Sequence, residues 1–373
     1  MEWRYLTSSD VDAAEGLAED EALMVSHGRS EEHSPSILKL YTYSDHVALC
    51  GRFQHIEAEI DIDACTTSRT PFNRRPTGGG AIVMGSGQLG VAVLTRSPAE
   101  KSPKALLMEF SEGILAALAT LGVEAAFGGK NDLKVEGKKV AGLGLYVDEE
   151  GALLFHASIL ADLDISFMLE VLNIPAATLG PDAVRAVESR VTTVTRETGR
   201  QWTGADLISV VTDGFVTTLG VELIADKPTE REQLAADKLV ETKYATDKWR
   251  FMRSPHPDAT ATSVVRTPHG TIRAYLSLQG DIIKSALFAG DVNTIPEPVA
   301  DFESRLKWSR LSEKSVVAAA QAAFSNGTGL DIEPNDLVAA ILDAGSRALG
   351  REIVAPHRLG SCYFPDTSKE PVR

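Results

Sequence analysis

Apolar residues recur along the chain at two spacings, and the switches between them mark out its elements. Over residues 9–24 the spacing is helical, with Ser8 or Ser9 as the expected N-cap of an amphipathic helix. Short apolar runs at Ser36–Tyr43 and His46–Gly51 predict strands, and QLGVAVLTR (Gln88–Arg96) has the valine-rich character of a buried one. A well-punctuated helix follows: Ser102 as N-cap, Pro103 at the first position, Leu106, Phe110, Ile114 and Leu118 on one stripe, and Gly122 to end it. NDLKVEGKKVAGLGLYVDEEGALLFHASILAD reads as three antiparallel strands that turn at Gly137 and between Asp148 and Gly151. This puts Lys139 at the start of the middle strand and His156 on the third. Helical spacing resumes near Ile165–Leu172 and Gly204–Leu219.

The charged stretch IADKPTEREQLAADKLVETKYATDKW predicts a connecting arm. Beyond it, VVRTPHGTIRAYLSLQGDIIKSALFAGD has strand–turn–strand punctuation at Gly270 and Gly280, and helices are expected at about Glu313–Ser325 and Asn335–Ala348. The expected organisation is a larger domain over 1–225, a linker over 226–245, a smaller α+β domain over 246–348 and an irregular tail over 349–373. A chain of 373 residues is long enough for two such cores.

No apolar stretch approaches the ~20 residues that span a bilayer, so no membrane partner is expected. The acidic N-terminal stretch lacks the basic start and apolar core of a signal peptide. Cys50, Cys65 and Cys362 are isolated, without metal-ligand spacing, which fits a reducing cytoplasm. A formal charge of −15 argues against a nucleic-acid partner. Positive charge is nevertheless concentrated in two islands. Arg69, Arg74 and Arg75 form one, and Lys130, Lys134, Lys138 and Lys139, set against Asp132 and Glu136, form the other.

Gly78, Gly79 and Gly80 follow the first island in RRPTGGGAIVMGSGQLGVAVL. Each glycine costs roughly 0.5–1 kcal/mol in regular structure, so such a run implies positive φ or a close approach to the backbone. A hairpin turn meets that need. So does a loop whose N–H groups face an anion, with Arg74 and Arg75 supplying positive charge. In GGKNDLKVEGKKVAG, Asn131–Asp132 and Lys139 lie across a tight turn from one another. A carboxylate suits Mg²⁺ when nucleotide phosphates complete the shell, and a strand lysine offers fixed charge to a phosphorus centre and its developing oxyanion. Asn-Asp is equally a common turn pair, Lys138–Lys139 a solvated strand end, and His156 a core histidine.

Together these segments resemble the lipoate–protein ligases of the biotin/lipoate ligase superfamily. RRPTGGGA is similar to that family's RRxSGGGA loop, and GGKNDLKVEGKKVAG to its G-(R/K)-N-D-L…K-(V/I)-x-G segment. FHASIL is similar to its H-H-G-T-L-L strand, and SRVTTV (Ser189–Val194) to its S-R-V-T-N-L stretch. The similarity covers roughly residues 10–225, with a weaker match over 238–345 to the ligases' C-terminal accessory domain. It implies an α+β fold: a catalytic domain with a mixed and antiparallel sheet, and a smaller α+β accessory domain. It also implies an enzyme that uses Mg²⁺ and ATP to convert lipoate to lipoyl-AMP. The lipoyl group would then pass to a lysine of a lipoyl carrier domain of the glycine cleavage H protein or 2-oxoacid dehydrogenase E2 type. By motif position, Lys139 corresponds to the essential lysine at the lipoyl carboxylate and α-phosphate, and Arg75 to the arginine of the adenylate site. Gly78, Gly79, Gly80, Ala81, Ile82 and Val83 correspond to the backbone along the nucleotide. Asn131 and Asp132 correspond to the nucleotide and Mg²⁺ pair, and His156 to a residue beside the lipoyl group.

The chain departs from the family pattern in places. Where the family loop runs A-V-F-H-D, Met84 and Gly85 replace His and Asp, and H-H-G-T becomes FHAS. Relatives of the same fold transfer octanoyl or lipoyl groups without ATP through a cysteine thioester, and one such group carries P-C-G after the histidine strand. Here NIPAATLG puts Ala176 at that place, and no cysteine occurs from Thr66 to Ser361. ATP-dependent ligation is therefore the expected activity. The alternatives are ATP-independent octanoyl or lipoyl transfer and a non-catalytic scaffold that binds lipoate or lipoylated partners.

Overall fold

A computed structural model describes residues 1–29, 34–98, 100–174, 181–253, 259, 261–267, 270–290, 297–325, 327–328 and 333–352. Ala176, Cys362 and the expected tail beyond residue 352 lie outside these residues. The chain forms two compact units. The first holds Met1–Arg52 and Ile62–Arg250, and the second holds Phe53–Asp61 with the described residues from Phe251 onward.

The strands of the first unit are β1 (Glu2–Val11), β2 (Ile37–Tyr43), β3 (Val47–Cys50), β4 (Phe72–Arg74), β5 (Ile82–Met84), β6 (Gln88–Arg96), β7 (Ala126–Gly128), β8 (Asp132–Val135), β9 (Lys138–Val147), β10 (Ala152–Leu160) and β11 (Glu222–Ala225). Eight of them form one sheet in the order β11-β1-β2-β6-β10-β9-β8-β7, and β4-β3-β5 form a small second sheet. In the large sheet β1 runs parallel to both β11 and β2, while β2 through β7 pair antiparallel. This is the mixed sheet that the resemblance implies.

Strand alternation decides what each face of this sheet buries. Leu38, Leu40, Val91, Val93, Leu143, Leu153 and Phe155 point to one face, where they pack with Phe110, Ile114 and Phe215 of the helices Pro103–Thr120 and Leu207–Leu219. The first of these helices begins as expected: Ser102 caps it by accepting from Ala105 N, and Pro103 follows. The helix Ala13–Arg29 lies on the opposite face, against β6 and β10. It starts later than its periodicity suggests, because Ser8 and Ser9 belong to β1; Asp12 caps it, accepting from Ala14 N at 2.8 Å.

Residues 226–245, expected as a linker, carry the helix Glu230–Leu239 with a capping box between Thr229 and Glu232. Some of its charges are used within the first unit. Arg4 pairs with Glu232 at 2.7 Å and with Asp226 at 2.6 Å, and Lys243 pairs with Glu21 at 2.6 Å.

The second unit is a three-stranded antiparallel sheet of β12 (Ala261–Thr267), β13 (Gly270–Gln279) and β14 (Ile282–Gly290). The helices Glu297–Leu306, Glu313–Ala323 and Pro334–Glu352 pack with it around Phe288, Phe302, Phe324 and Ile341. The first of these helices was not expected.

Candidate active site

The sequence GLGL at residues 142–145 shows how the sheet accommodates a site. Leu143 and Leu145 face the core, so Gly142 and Gly144 face the other side of β9. A Cβ at Gly142 would stand 2.8 Å from Lys139 Nζ, and one at Gly144 would stand 3.3 Å from Thr77 Oγ1. The two glycines give the room that the lysine and the glycine loop occupy. Across the sheet, Gly90 does the same for Tyr41, whose ring would lie 2.5 Å from an added Cβ.

Lys139 is fixed at both its backbone and its amine. Its N–H donates to Arg190 O at 2.7 Å, and its own carbonyl accepts from Thr192 N at 2.9 Å. SRVTTV therefore acts as a clamp on the first residues of β9. The ammonium lies 3.1 Å from Asp132 Oδ1, with the two side chains only 12% and 13% exposed, well beyond what a surface pair achieves. Asn131 ties β9 to its own turn, donating from Nδ2 to Leu143 O at 2.7 Å.

A pocket opens beside this lysine. Its apolar walls are Ile82, Val83, Leu160, Leu163 and Met168. Ser158 and Gly142 complete the described lining, in which Lys139 is the one charged side chain. Ser158 donates to Met84 Sδ at 3.0 Å, so its hydroxyl is already engaged. Met84 and Gly85 thus fit their surroundings: a Cβ at Gly85 would meet the His46 ring at 2.6 Å, and that ring stacks on Phe167.

The glycine loop differs from an open anion cradle. Arg74 and Arg75, expected to supply positive charge to a ligand, donate to backbone carbonyls of the protein itself. Arg74 is wholly buried and donates to the carbonyls of Arg52, Trp249 and Arg250. Arg75 donates to Leu49 O at 3.1 Å, Gly78 O at 3.0 Å and Gly80 O at 2.6 Å. The Arg75 guanidinium holds the loop in shape. Gly79 has φ +101, which needs glycine, while Gly78 and Gly80 have open space around them. Ala81 is buried behind the loop, and Ile82 and Val83 carry the chain into the cavity wall.

His156 lies on β10 with its ring between two partners that its motif does not reveal. Nε2 is 2.9 Å from Asp20 Oδ2, and Nδ1 is 3.3 Å from Thr77 Oγ1. Lys39, wholly buried on β2, donates to Asp20 Oδ1 at 2.8 Å and lies 3.2 Å from Glu19 Oε2. A lysine inside the apolar strand ILKLYTY is the visible signal for this network.

Asp132 does not fit a Mg²⁺ site of its own. Its carboxylate faces two ammonium groups, Lys139 at 3.1 Å and Lys134 at 4.0 Å, and no group of three or more His, Cys, Asp or Glu gathers among the described residues. Cys50 and Cys65 are both buried, and neither lines the cavity. No described helix is long and apolar enough to cross a membrane.

A family model for the lipoyl protein ligase A/B catalytic domain matches residues 12–216. The chain is 30% identical over 276 residues to an octanoyltransferase LipM from Symbiobacterium thermophilum, covering 67% of this chain and 98% of that protein. A bi-partite lipoate protein ligase from Thermoplasma acidophilum matches with a TM-score of 0.62 at 27% identity, over 69% of this chain and 98% of that one. A lipoate–protein ligase A bound with ATP matches with a TM-score of 0.60, also at 27% identity, over 67% and 99%.

Proposed function

The chain belongs to the lipoyl protein ligase A/B family, and we propose that within it the protein moves an octanoyl or lipoyl group from an activated donor to a lysine amine on a lipoyl carrier domain. One observation carries this reading: an apolar pocket in which Lys139 is the one charged side chain among the described lining. Its apolar walls suit an acyl chain, with the reactive carbonyl at the lysine.

The neutral amine of the carrier lysine attacks the acyl carbonyl. A C–N bond forms, the bond between the acyl carbon and the donor's leaving atom breaks, and the amine proton departs with the leaving group. Negative charge gathers on the carbonyl oxygen, and the Lys139 ammonium meets it. Asp132 and the Arg190–Thr192 clamp fix that ammonium beforehand, so little reorganisation is needed as charge develops. We infer direct transfer: alanine stands at position 176, and of the described cysteines neither Cys50 nor Cys65 lines the cavity.

A second reading is ATP-dependent activation of lipoate at the same lysine. The alanine at 176 and the similarity to an ATP-bound ligase favour it. No step in either reading is routed through Mg²⁺, because Asp132 is engaged by lysines. A lipoyl domain offered an octanoyl thioester without nucleotide, and separately lipoate with Mg·ATP, distinguishes the two by product mass. Direct transfer predicts an octanoylated domain in the nucleotide-free arm. Loading confined to the ATP arm, with pyrophosphate released, would establish the second reading, and no loading in either arm would contradict both.

A further inference from the structure

The acyl-transfer chemistry leaves the buried groups behind the glycine loop without a role. Asp20 is wholly buried, and burial alone would raise its pKa. The Lys39 charge and the His156 hydrogen bond outweigh that and hold it below the usual carboxylate range. The Tyr41 hydroxyl reaches the same carboxylate. An ionised carboxylate can only accept, so Nε2 of His156 must carry a hydrogen. In the neutral ring Nδ1 is then an acceptor, and the Thr77 hydroxyl donates to it. Thr77 O in turn accepts from Arg52 N at 2.9 Å, and five residues later the chain lines the cavity at Ile82 and Val83.

We propose that Asp20 is a positioning residue: with Lys39 behind it, it fixes the Nε2–H tautomer of His156, which holds Thr77 and the glycine loop against the acyl cavity. Only the kinetic consequence rests on the acyl-transfer reading; the tautomer and the loop restraint do not.

The test compares the full chain with Asp20→Asn, Thr77→Val and Thr77→Ser. The readouts are ¹⁵N shifts of the His156 ring, hydrogen exchange at the Arg52 amide, and KM for an octanoyl thioester. The wild type should show Nε2 protonated and Nδ1 unprotonated. In Asp20→Asn the amide oxygen turns to Lys39 and its NH₂ faces Nε2, which inverts the tautomer. Exchange at Arg52 and KM should each rise about tenfold in Thr77→Val, the worth of one buried hydrogen bond; in Asp20→Asn the inverted ring donates from Nδ1 to the Thr77 hydroxyl, so there the ring shifts are the readout. Thr77→Ser keeps the hydroxyl and should restore both. Combining Asp20→Asn with Thr77→Val should add little to Thr77→Val alone.

An Nδ1–H ring in the wild type would overturn the proposal. So would Thr77→Val with unchanged exchange and KM, and that arm decides if Asp20→Asn fails to fold. If no acyl transfer is found at all, the ring shifts and the Arg52 exchange still decide the tautomer and the loop restraint.

Discussion

Lys139 combines three constraints seldom found together on a lysine: a backbone clamped on both sides, an ion pair at 3.1 Å, and an apolar cavity beside its amine. Lys139→Ala should lower kcat by about 10²–10³, the usual cost of removing one oxyanion-stabilising donor. The fold should persist with some loss of melting temperature, because Asp132 loses its partner at 3.1 Å. Lys139→Arg should not restore activity, because a planar fork cannot replace a compact ammonium above Gly142. Steady-state kinetics with an octanoyl thioester, read beside thermal melts, checks both. Near-normal kcat in the alanine variant would remove Lys139 from the mechanism. At this scale the lysine was legible because it follows Asn131–Asp132 across a short turn. Asp20 was not, since its place depends on how the Ala13–Arg29 helix is rotated against the sheet.

Among the elements, β9 makes the sharpest prediction. Gly142→Ala sets a methyl 2.8 Å from Lys139 Nζ and 3.0 Å from its Cε, both at the flexible end of the side chain. The strand should keep its fold while the ammonium is pushed off Asp132, with kcat down about tenfold or more. Gly90→Ala meets the buried Tyr41 ring instead and should lower stability. Equal effects of the two changes on melting temperature, with no separate kinetic loss in Gly142→Ala, would contradict this division.

The three antiparallel strands and the Pro103–Thr120 helix were legible because their caps and turns are local: Ser102, Gly122, Gly137 and Gly151. β1 and β11 were not. They pair in parallel across more than two hundred residues, and no turn signal joins them. The Glu230–Leu239 helix was obscured because its largely charged sequence reads as solvated, while Glu232 alone faces Arg4 and the Thr229 cap.

At the scale of the whole molecule, the second unit carries its own pH dependence. Burial, offset only in part by Arg253, pushes the Glu303 carboxyl up to about 7, and Phe288 N donates to it at 2.6 Å. An unfolded glutamate titrates near ~4.3. Between those values the folded unit holds a proton that the unfolded chain has released. Glu303's contribution to stability is therefore present at the acid end and lost as pH rises through about 7. Denaturant melts of the full chain between about pH 5 and pH 8 should show the second unit weakening, and Glu303→Gln should flatten that trend. An unchanged slope in the variant would refute the assignment. That Phe53–Asp61 belongs to this unit was not legible, because no shift in composition marks the segment.

The central claim is that acyl transfer here is direct and relies on Lys139 rather than on a thiol. The most direct measurement uses the variant with Cys50→Ser, Cys65→Ser and Cys362→Ser, incubated with an octanoyl thioester and a lipoyl domain in the absence of nucleotide. Direct transfer predicts that the lipoyl domain gains one octanoyl mass at close to the wild-type rate, with no acyl adduct on the enzyme. Wild-type loading that disappears in this variant, with a hydroxylamine-sensitive adduct on the wild-type chain, would contradict it.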